Sequence, residues 1–279
     1  MKRPRTRKAG MSVQKLAVIG GGQMGRALVG GLLASDVISG SEVMLVEPDS
    51  ASRDWWAENH PEIISADLAG AVSQCDAALL AVKPNIIPNV LCEIGSGWQD
   101  KLVISIAAGI DLADLCHGVG HERVARVMPN TPSLVGQGAS GYCCGSQVSP
   151  EDRNWIQSAL DSVGLAVEVA ESQMDAVTGV SGSGPAYVCI VIEALADGGV
   201  LAGLPRPLAM KLATQTVLGT ATMIAETKRH PAELKDAVAS PGGTTIEAIS
   251  VLEQNGVRGA LIEAVAASAE RSREMGEDG

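Results

Sequence analysis

Six residues near the start of the chain have the composition and spacing of a phosphate-binding turn: Gly20-Gly21-Gly22-Gln23-Met24-Gly25. An apolar run, residues 15–19, precedes them, and a helical pattern, residues 26–35, follows. In that setting the first glycine permits a tight turn, the second lets a pyrophosphate approach the backbone, and the third lets helix and strand pack closely. The sequence therefore predicts a dinucleotide site that involves Gly20, Gly22, Gln23, Met24 and Gly25.

A second glycine-containing stretch lies near the other end of the chain: Ser240-Pro241-Gly242-Gly243-Thr244-Thr245. The residues after it repeat apolar side chains at helical spacing. Paired glycines leave room for a ligand, and a helix start offers free N–H groups and a positive dipole end to an anion. Thr244 and Glu247 also match a capping box, so we expect Thr244 to be the N-cap. The segment alone fits an anion site and an ordinary capped helix equally well.

The second predicted strand, residues 43–46, ends at Glu47. An acid at this point of a doubly wound sheet can accept hydrogen bonds from the ribose hydroxyls of NADH, and it repels the 2′-phosphate of NADPH. Arg53, about one turn further on, could offset that repulsion. A solvated surface glutamate is the alternative interpretation. The sequence therefore leaves the choice between NADPH and NADH open.

Three further predicted strands, residues 77–82, 102–106 and 124–128, end in residues that suit a ligand. Because the carboxyl ends of parallel strands meet at the ligand-binding edge of such a sheet, we expect these residues to face the cofactor, although each turn alone could be structural. The additional cofactor-binding residues expected are Ala81, Val82, Lys83, Pro84, Ala107, Gly109 and Asn130.

The elements that carry these residues divide into an α/β part and a helical part. We expect a disordered basic start over residues 1–11, a Rossmann-type dinucleotide-binding domain over 12–171, and an all-α domain over 172–279. Residues 178–185 have the pattern of a glycine-rich turn before two helices, 185–202 and 208–227, that are apolar nearly all round. Such helices must be buried, and about a hundred residues cannot bury them internally. A homodimer is therefore the minimum assembly.

Composition excludes several classes of protein. The net charge of -11 and the aromatic content of 2% disfavour nucleic acid and anionic membranes as partners. The six cysteines form no Cys-x-x-Cys pair, which indicates reduced thiols in a cytoplasm, and the four histidines show no metal-ligand spacing. We expect no metal site, and no stretch long and apolar enough to span a membrane.

Taken together, the motifs resemble one family. A lysine early in the helical domain would be typical of the 6-phosphogluconate and 3-hydroxyacid dehydrogenases, but no lysine occurs between Lys101 and Lys211. The chain instead resembles the pyrroline-5-carboxylate reductases, over nearly all its length from Leu16. The resemblance rests on the two glycine stretches above and on Ala81-Val82-Lys83-Pro84, Pro129-Asn130-Thr131-Pro132 and Ser181-Gly182-Ser183-Gly184-Pro185-Ala186-Tyr187.

This resemblance implies an enzyme that reduces 1-pyrroline-5-carboxylate to L-proline with a hydride from NADPH or NADH. The imine is readily protonated, so no strong protein acid is needed. The resemblance implies that Ser240, Gly242 and the N–H groups of Gly243 and Thr244 hold the substrate carboxylate, and that the Thr245 hydroxyl lies by the ring nitrogen as the catalytic group. It also implies a substrate site shared between two chains, and larger rings of dimers. A reductase of another cyclic imine and a non-catalytic nucleotide-binding regulator are the alternatives.

Overall fold

The computed structural model describes residues 13–277, so the predicted basic start lies outside the described residues. The chain forms two compact units. The first contains the described residues up to Gly182 together with the end of the last helix from Ser268, and the second is Ser183–Ala267. This division falls later than the expected boundary at 171, because residues just after 171 pack on the sheet: the Val177 side chain lies against Gly141.

The first unit is built on one eight-stranded sheet in the order β3-β2-β1-β4-β5-β6-β7-β8. All neighbouring strands are parallel except β6 and β7, which are antiparallel. This arrangement confirms the predicted α/β class and places the ends of β1, β2, β4, β5 and β6 at one edge. The strands are β1 Leu16–Ile19, β2 Val43–Val46, β3 Ile64–Ser65, β4 Ala77–Leu80, β5 Leu102–Ser105, β6 Val124–Met128, β7 Gly138–Cys144 and β8 Gly164–Glu168.

Helices cover both faces of the sheet, which is why its central strands are continuous apolar runs. Within β1, Leu16 and Val18 belong to one buried cluster, and Ala17 and Ile19 belong to the other. The helices of this unit are α1 Gln23–Ala34, α2 Ser50–Asn59, α3 Leu68–Gln74, α4 Ile87–Ile94, α5 Leu112–Val119, α6 Pro150–Asp161 and α7 Met174–Val177.

The second unit contains only helices among its described residues. They are α8 Gly184–Leu201, α9 Arg206–Thr227, α10 Pro231–Ala237, α11 Thr244–Gln254 and α12 Val257–Glu277, of which α12 ends in the first unit. The glycine-rich stretch before them was predicted as a turn. Its residues Thr178–Gly182 instead form a π-helix that runs almost directly into α8.

The second unit has almost no core of its own. Its buried cluster consists of the small side chains of Ala196, Ala209 and Ala213. Large apolar side chains on α8, α9, α11 and α12 are instead exposed, as Leu201 (92%) and Leu218 (57%) illustrate. A surface this apolar is typical of an interface that a partner buries.

The segment Glu171–Leu201 is long and apolar enough, by length and composition alone, to cross a membrane. The expectation that no such stretch exists was therefore wrong, because Glu193 and Asp197 do not lower the mean hydropathy enough. The segment includes α8, whose apolar surface also suits a subunit interface.

Candidate functional site

The glycine turn at 20–25 lies between β1 and the start of α1. Gly20 has a φ of +102°, and its N–H donates to the Val46 carbonyl oxygen at 2.9 Å. A Cβ on Gly20 would lie 2.5 Å from the Ala81 carbonyl oxygen, and one on Gly25 would lie 2.7 Å from the Gly20 carbonyl oxygen. The first and third glycines are therefore required by packing.

Gly22 differs from its two neighbours in the motif. A Cβ there would meet no atom within 4 Å, and Gly22 is the N-cap of α1 with no side-chain cap. The first N–H groups of α1, from Gln23 onward, have no partner inside the helix. Open space in front of an uncapped helix start fits a pyrophosphate, so these residues could hold a dinucleotide.

Several side chains that the sequence analysis missed hold this turn in place. The Gly21 carbonyl oxygen accepts hydrogen bonds from Arg26 Nε (3.1 Å), Ser52 Oγ (3.0 Å) and Trp56 Nε1 (3.0 Å). The Arg26 guanidinium also stacks 4.1 Å from the ring centre of Trp55. Ser52 and Trp56 are four residues apart on α2 and share one face, a spacing visible in the sequence.

Glu47 lies directly beside the same turn. Its Oε2 accepts the Gly21 N–H at 2.6 Å, and its Oε1 accepts the Asp49 N–H at 2.9 Å. The Arg53 guanidinium, which could offset the repulsion of a 2′-phosphate, donates through Nη1 to the backbone carbonyl oxygens of Glu47 (2.9 Å) and Pro48 (2.6 Å). The carboxylate is thus held by two backbone N–H groups, one on each oxygen.

The predicted residues after β4 lie at the same edge. Ala81 donates its N–H to the Ile19 carbonyl oxygen at 2.8 Å, and Ala81 and Val82 line the close packing around Gly20. Lys83 is exposed at the start of a short 3-10 turn, Pro84–Ile86.

The residues after β5 are partly engaged by the protein itself. Ala107 is buried, and its N–H donates to Ser105 Oγ at 3.3 Å. Gly109 has a φ of +75°, and its Cβ position is 3.5 Å from the Met275 side chain. Gly109 therefore also serves to pack the end of α12.

Asn130, after β6, is buried and internally hydrogen-bonded. Its Nδ2 donates to the Ser181 carbonyl oxygen at 3.0 Å, and its Oδ1 accepts the Ala139 N–H at 2.9 Å. These bonds join the end of β6 to β7 and to the π-helical turn. Cofactor binding by Asn130 stays a prediction.

The loop before α11 forms a tight turn. The Gly243 N–H donates to the Ser240 carbonyl oxygen at 3.0 Å, and Gly242 has a φ of +66°. Proline in the second place and a positive-φ glycine in the third are typical of a type II turn. Since the Gly243 N–H is engaged in this turn, the expectation that it binds the substrate carboxylate is not supported by the geometry.

The start of α11 also differs from the prediction. Gly243, not Thr244, is the N-cap, with no side-chain cap bond, and the Glu247 N–H donates to the Gly243 carbonyl oxygen at 3.4 Å. The turn forces Gly243 into an extended conformation, so the helix begins one residue earlier and Glu247 lies too late for a capping box. The N–H groups of Thr244, Thr245 and Ile246 then have no partner within the helix.

Thr245 is half-buried in the first turn of α11. Within residues 13–277 we find no hydrogen-bond partner for its hydroxyl, nor for that of Ser240. Two hydroxyls and an uncapped helix start on one short segment can bind a small anion through hydrogen bonds. No side chain caps α11, so its first N–H groups are available to an anion, and anion binding by this segment stays a prediction.

A mostly parallel sheet with this strand order and a glycine turn after its first strand defines a dinucleotide-binding oxidoreductase fold, here followed by a helical unit. Residues 15–109 match the family model described as NADP oxidoreductase, coenzyme F420-dependent. Residues 171–275 match the model described as pyrroline-5-carboxylate reductase dimerisation, which supports a homo-oligomer.

Relatives match nearly the whole chain. The pyrroline-5-carboxylate reductase of Synechocystis sp. is 48% identical, covering 95% of this chain and 99% of the relative, and that of Escherichia coli is 45% identical, covering 94% and 98%. The solved pyrroline carboxylate reductase of Plasmodium falciparum, which has NADP bound, is 34% identical with a TM-score of 0.85, covering 96% of this chain and 100% of that one. This chain belongs to the pyrroline-5-carboxylate reductase family.

Proposed function

We propose that this protein reduces 1-pyrroline-5-carboxylate to L-proline, the last step of proline biosynthesis, with NADPH or NADH as the reductant. Family membership over nearly the full chain supports this reaction. The single structural observation that carries it is the start of α11, where N–H groups and two hydroxyls are available to a small carboxylate. A bound nicotinamide cofactor supplies the hydride.

The residues of this chain mainly position the reactants. The N–H groups at the start of α11 and the Ser240 hydroxyl bind the substrate carboxylate, and the turn at Pro241-Gly242 keeps them in place. Because the Gly243 N–H is already engaged, we assign the carboxylate to the N–H groups of Thr244 and Thr245 rather than to Gly243. The helix dipole adds to this attraction.

Thr245 is the residue proposed to contact the ring nitrogen. Thr245→Ala is expected to lower kcat/KM by about tenfold to a thousandfold, the range for one well-placed polar contact. Thr245→Ser should restore most of the activity. Thr244→Ala removes only the neighbouring exposed hydroxyl and keeps the N–H assigned to the carboxylate, so it serves as the matched control. An unchanged kcat/KM in a folded Thr245→Ala variant would refute the role.

The decisive assay is the oxidation of NADPH and of NADH, measured separately, with pyrroline-5-carboxylate as substrate. Turnover with at least one of them is expected. A higher kcat/KM for a six-membered cyclic imine carboxylate than for pyrroline-5-carboxylate would overturn the assignment of the substrate. No turnover with any imine would overturn the enzymatic function.

The assembly and location belong to the same proposal. We place the protein in the cytoplasm as a homodimer or a ring of dimers, in which the apolar faces of the helical unit are covered. The helical unit buries few side chains of its own and exposes many large apolar ones, which supports a homodimer as the minimum assembly.

A further inference from the structure

The adenosine end of the cofactor site contains an anion whose position is set by the backbone. Glu47 follows β2, where a doubly wound fold brings the ribose of a dinucleotide. Two backbone N–H groups, of Gly21 and Asp49, donate to its carboxylate, one to each oxygen. A carboxylate has about four lone-pair positions, so two are left for the two hydroxyls of an adenosine ribose.

Arg26 and Arg53, the two arginines that flank this turn, form hydrogen bonds to groups other than the Glu47 carboxylate. Arg26 donates to the Gly21 carbonyl oxygen and to Ser52 Oγ, and it stacks on Trp55. Arg53 donates to two backbone carbonyl oxygens. Neither guanidinium forms an ion pair with the Glu47 carboxylate among the described residues.

A second acidic residue, Asp49, follows Glu47 by two positions in the chain. Asp49 caps α2 by accepting the Ser52 N–H at 2.7 Å, and this bond keeps its charge near the end of β2. A 2′-phosphate would therefore meet the Glu47 carboxylate, whereas a 2′-hydroxyl would donate a hydrogen bond to it.

We propose that Glu47 makes NADH the preferred cofactor of this protein, by accepting hydrogen bonds from the ribose hydroxyls and repelling the 2′-phosphate of NADPH. This proposal rests on the proposed function in one respect, namely that the cofactor is a nicotinamide dinucleotide. NADH is expected to bind at least about tenfold more tightly than NADPH, which corresponds to about 1.4 kcal/mol.

The test measures the dissociation constants of NADH and NADPH for the full chain by calorimetry. Glu47→Gln removes the charge but keeps an amide oxygen for the Gly21 N–H, so it should tighten NADPH, weaken NADH and shift their ratio by at least about tenfold. Glu58→Gln, at an exposed position on the following helix α2, is the matched control and should leave the ratio unchanged. Raising the salt concentration from about 0.05 to about 0.5 M should bring the dissociation constants of NADH and NADPH for the unaltered protein closer together.

Two results would overturn the proposal. One is equal or tighter binding of NADPH by the unaltered protein, which needs no variant to fold. The other is an unchanged ratio in folded Glu47→Gln. Tight NADH binding without turnover of pyrroline-5-carboxylate would refute the proposed function but not the preference for NADH. Efficient turnover by a protein that prefers NADPH would refute the preference for NADH but not the proposed function.

Discussion

Two glycines of one motif, Gly20 and Gly22, should respond in opposite ways to the same substitution. Gly20→Ala adds a Cβ 2.5 Å from the Ala81 carbonyl oxygen at a residue whose φ is +102°. Gly22→Ala adds a Cβ in open space, at a φ of -70° that any residue adopts. We expect the first variant to lose stability, and the second to lose cofactor binding while it stays folded.

The magnitudes follow from these geometries. At Gly20 the backbone strain is about 1–3 kcal/mol, and the contact with a backbone oxygen held in the sheet adds about 1–3 kcal/mol. A loss of about 3 kcal/mol lowers the Tm of a domain of this size by roughly 6–12 °C. At Gly22, alanine is a poorer N-cap than glycine, which lowers the free energy of unfolding by up to about 1 kcal/mol. Alanine also lowers the conformational entropy of the unfolded chain, which restores about 0.4–1 kcal/mol.

Denaturant unfolding and calorimetric titration with NADH or NADPH measure both effects. Gly22→Ala should unfold within about 0.5 kcal/mol of the original protein and bind the cofactor at least about tenfold more weakly, because its methyl group takes the space of the pyrophosphate. Unchanged affinity in Gly22→Ala would refute the placement of the pyrophosphate. Unchanged stability in Gly20→Ala would refute the packing requirement at the turn.

Three further predictions concern assembly, a buried ion pair and a thiol. Leu218→Asp should yield inactive monomers in sedimentation experiments, whereas Ile64→Asp on the edge strand β3, a position similarly exposed (50% against 57%), should stay oligomeric. Arg123→Ala leaves the buried Asp152 carboxylate without its paired guanidinium and should lower the free energy of unfolding in urea by about 3 kcal/mol. Burial and nearby carboxylates raise the pKa of Cys116 to about 11 from 9.0, so alkylation at about pH 8 should be about 100-fold slower than for a thiol of ordinary pKa and should accelerate between about pH 9 and 11.

Local patterns were enough to predict the central strands and the first helix of the α/β unit. β1, β2, β4, β5 and β6 lie within predicted runs, because strands buried on both faces are continuous apolar segments bounded by turn residues. The strand β3 and the helices α2, α3, α4, α5, α7 and α10 were not predicted. Of these, β3, α3, α7 and α10 have at most seven residues, too few to show a period. The π-helical turn Thr178–Gly182 was predicted as a turn because glycine is permissive in both conformations.

The sequence by itself determined the fold class, the position of both glycine segments, and the family. These depend on residue types at short spacing, where backbone sterics and hydrophobic periodicity act locally. Only the tertiary structure decided that Gly243 rather than Thr244 caps α11, and that Arg53 donates to backbone carbonyl oxygens rather than to the Glu47 carboxylate. Hydrogen bonds such as those of Arg26, Ser52 and Trp56 to Gly21 join residues up to 35 positions apart, and such contacts depend on how the chain folds back on itself.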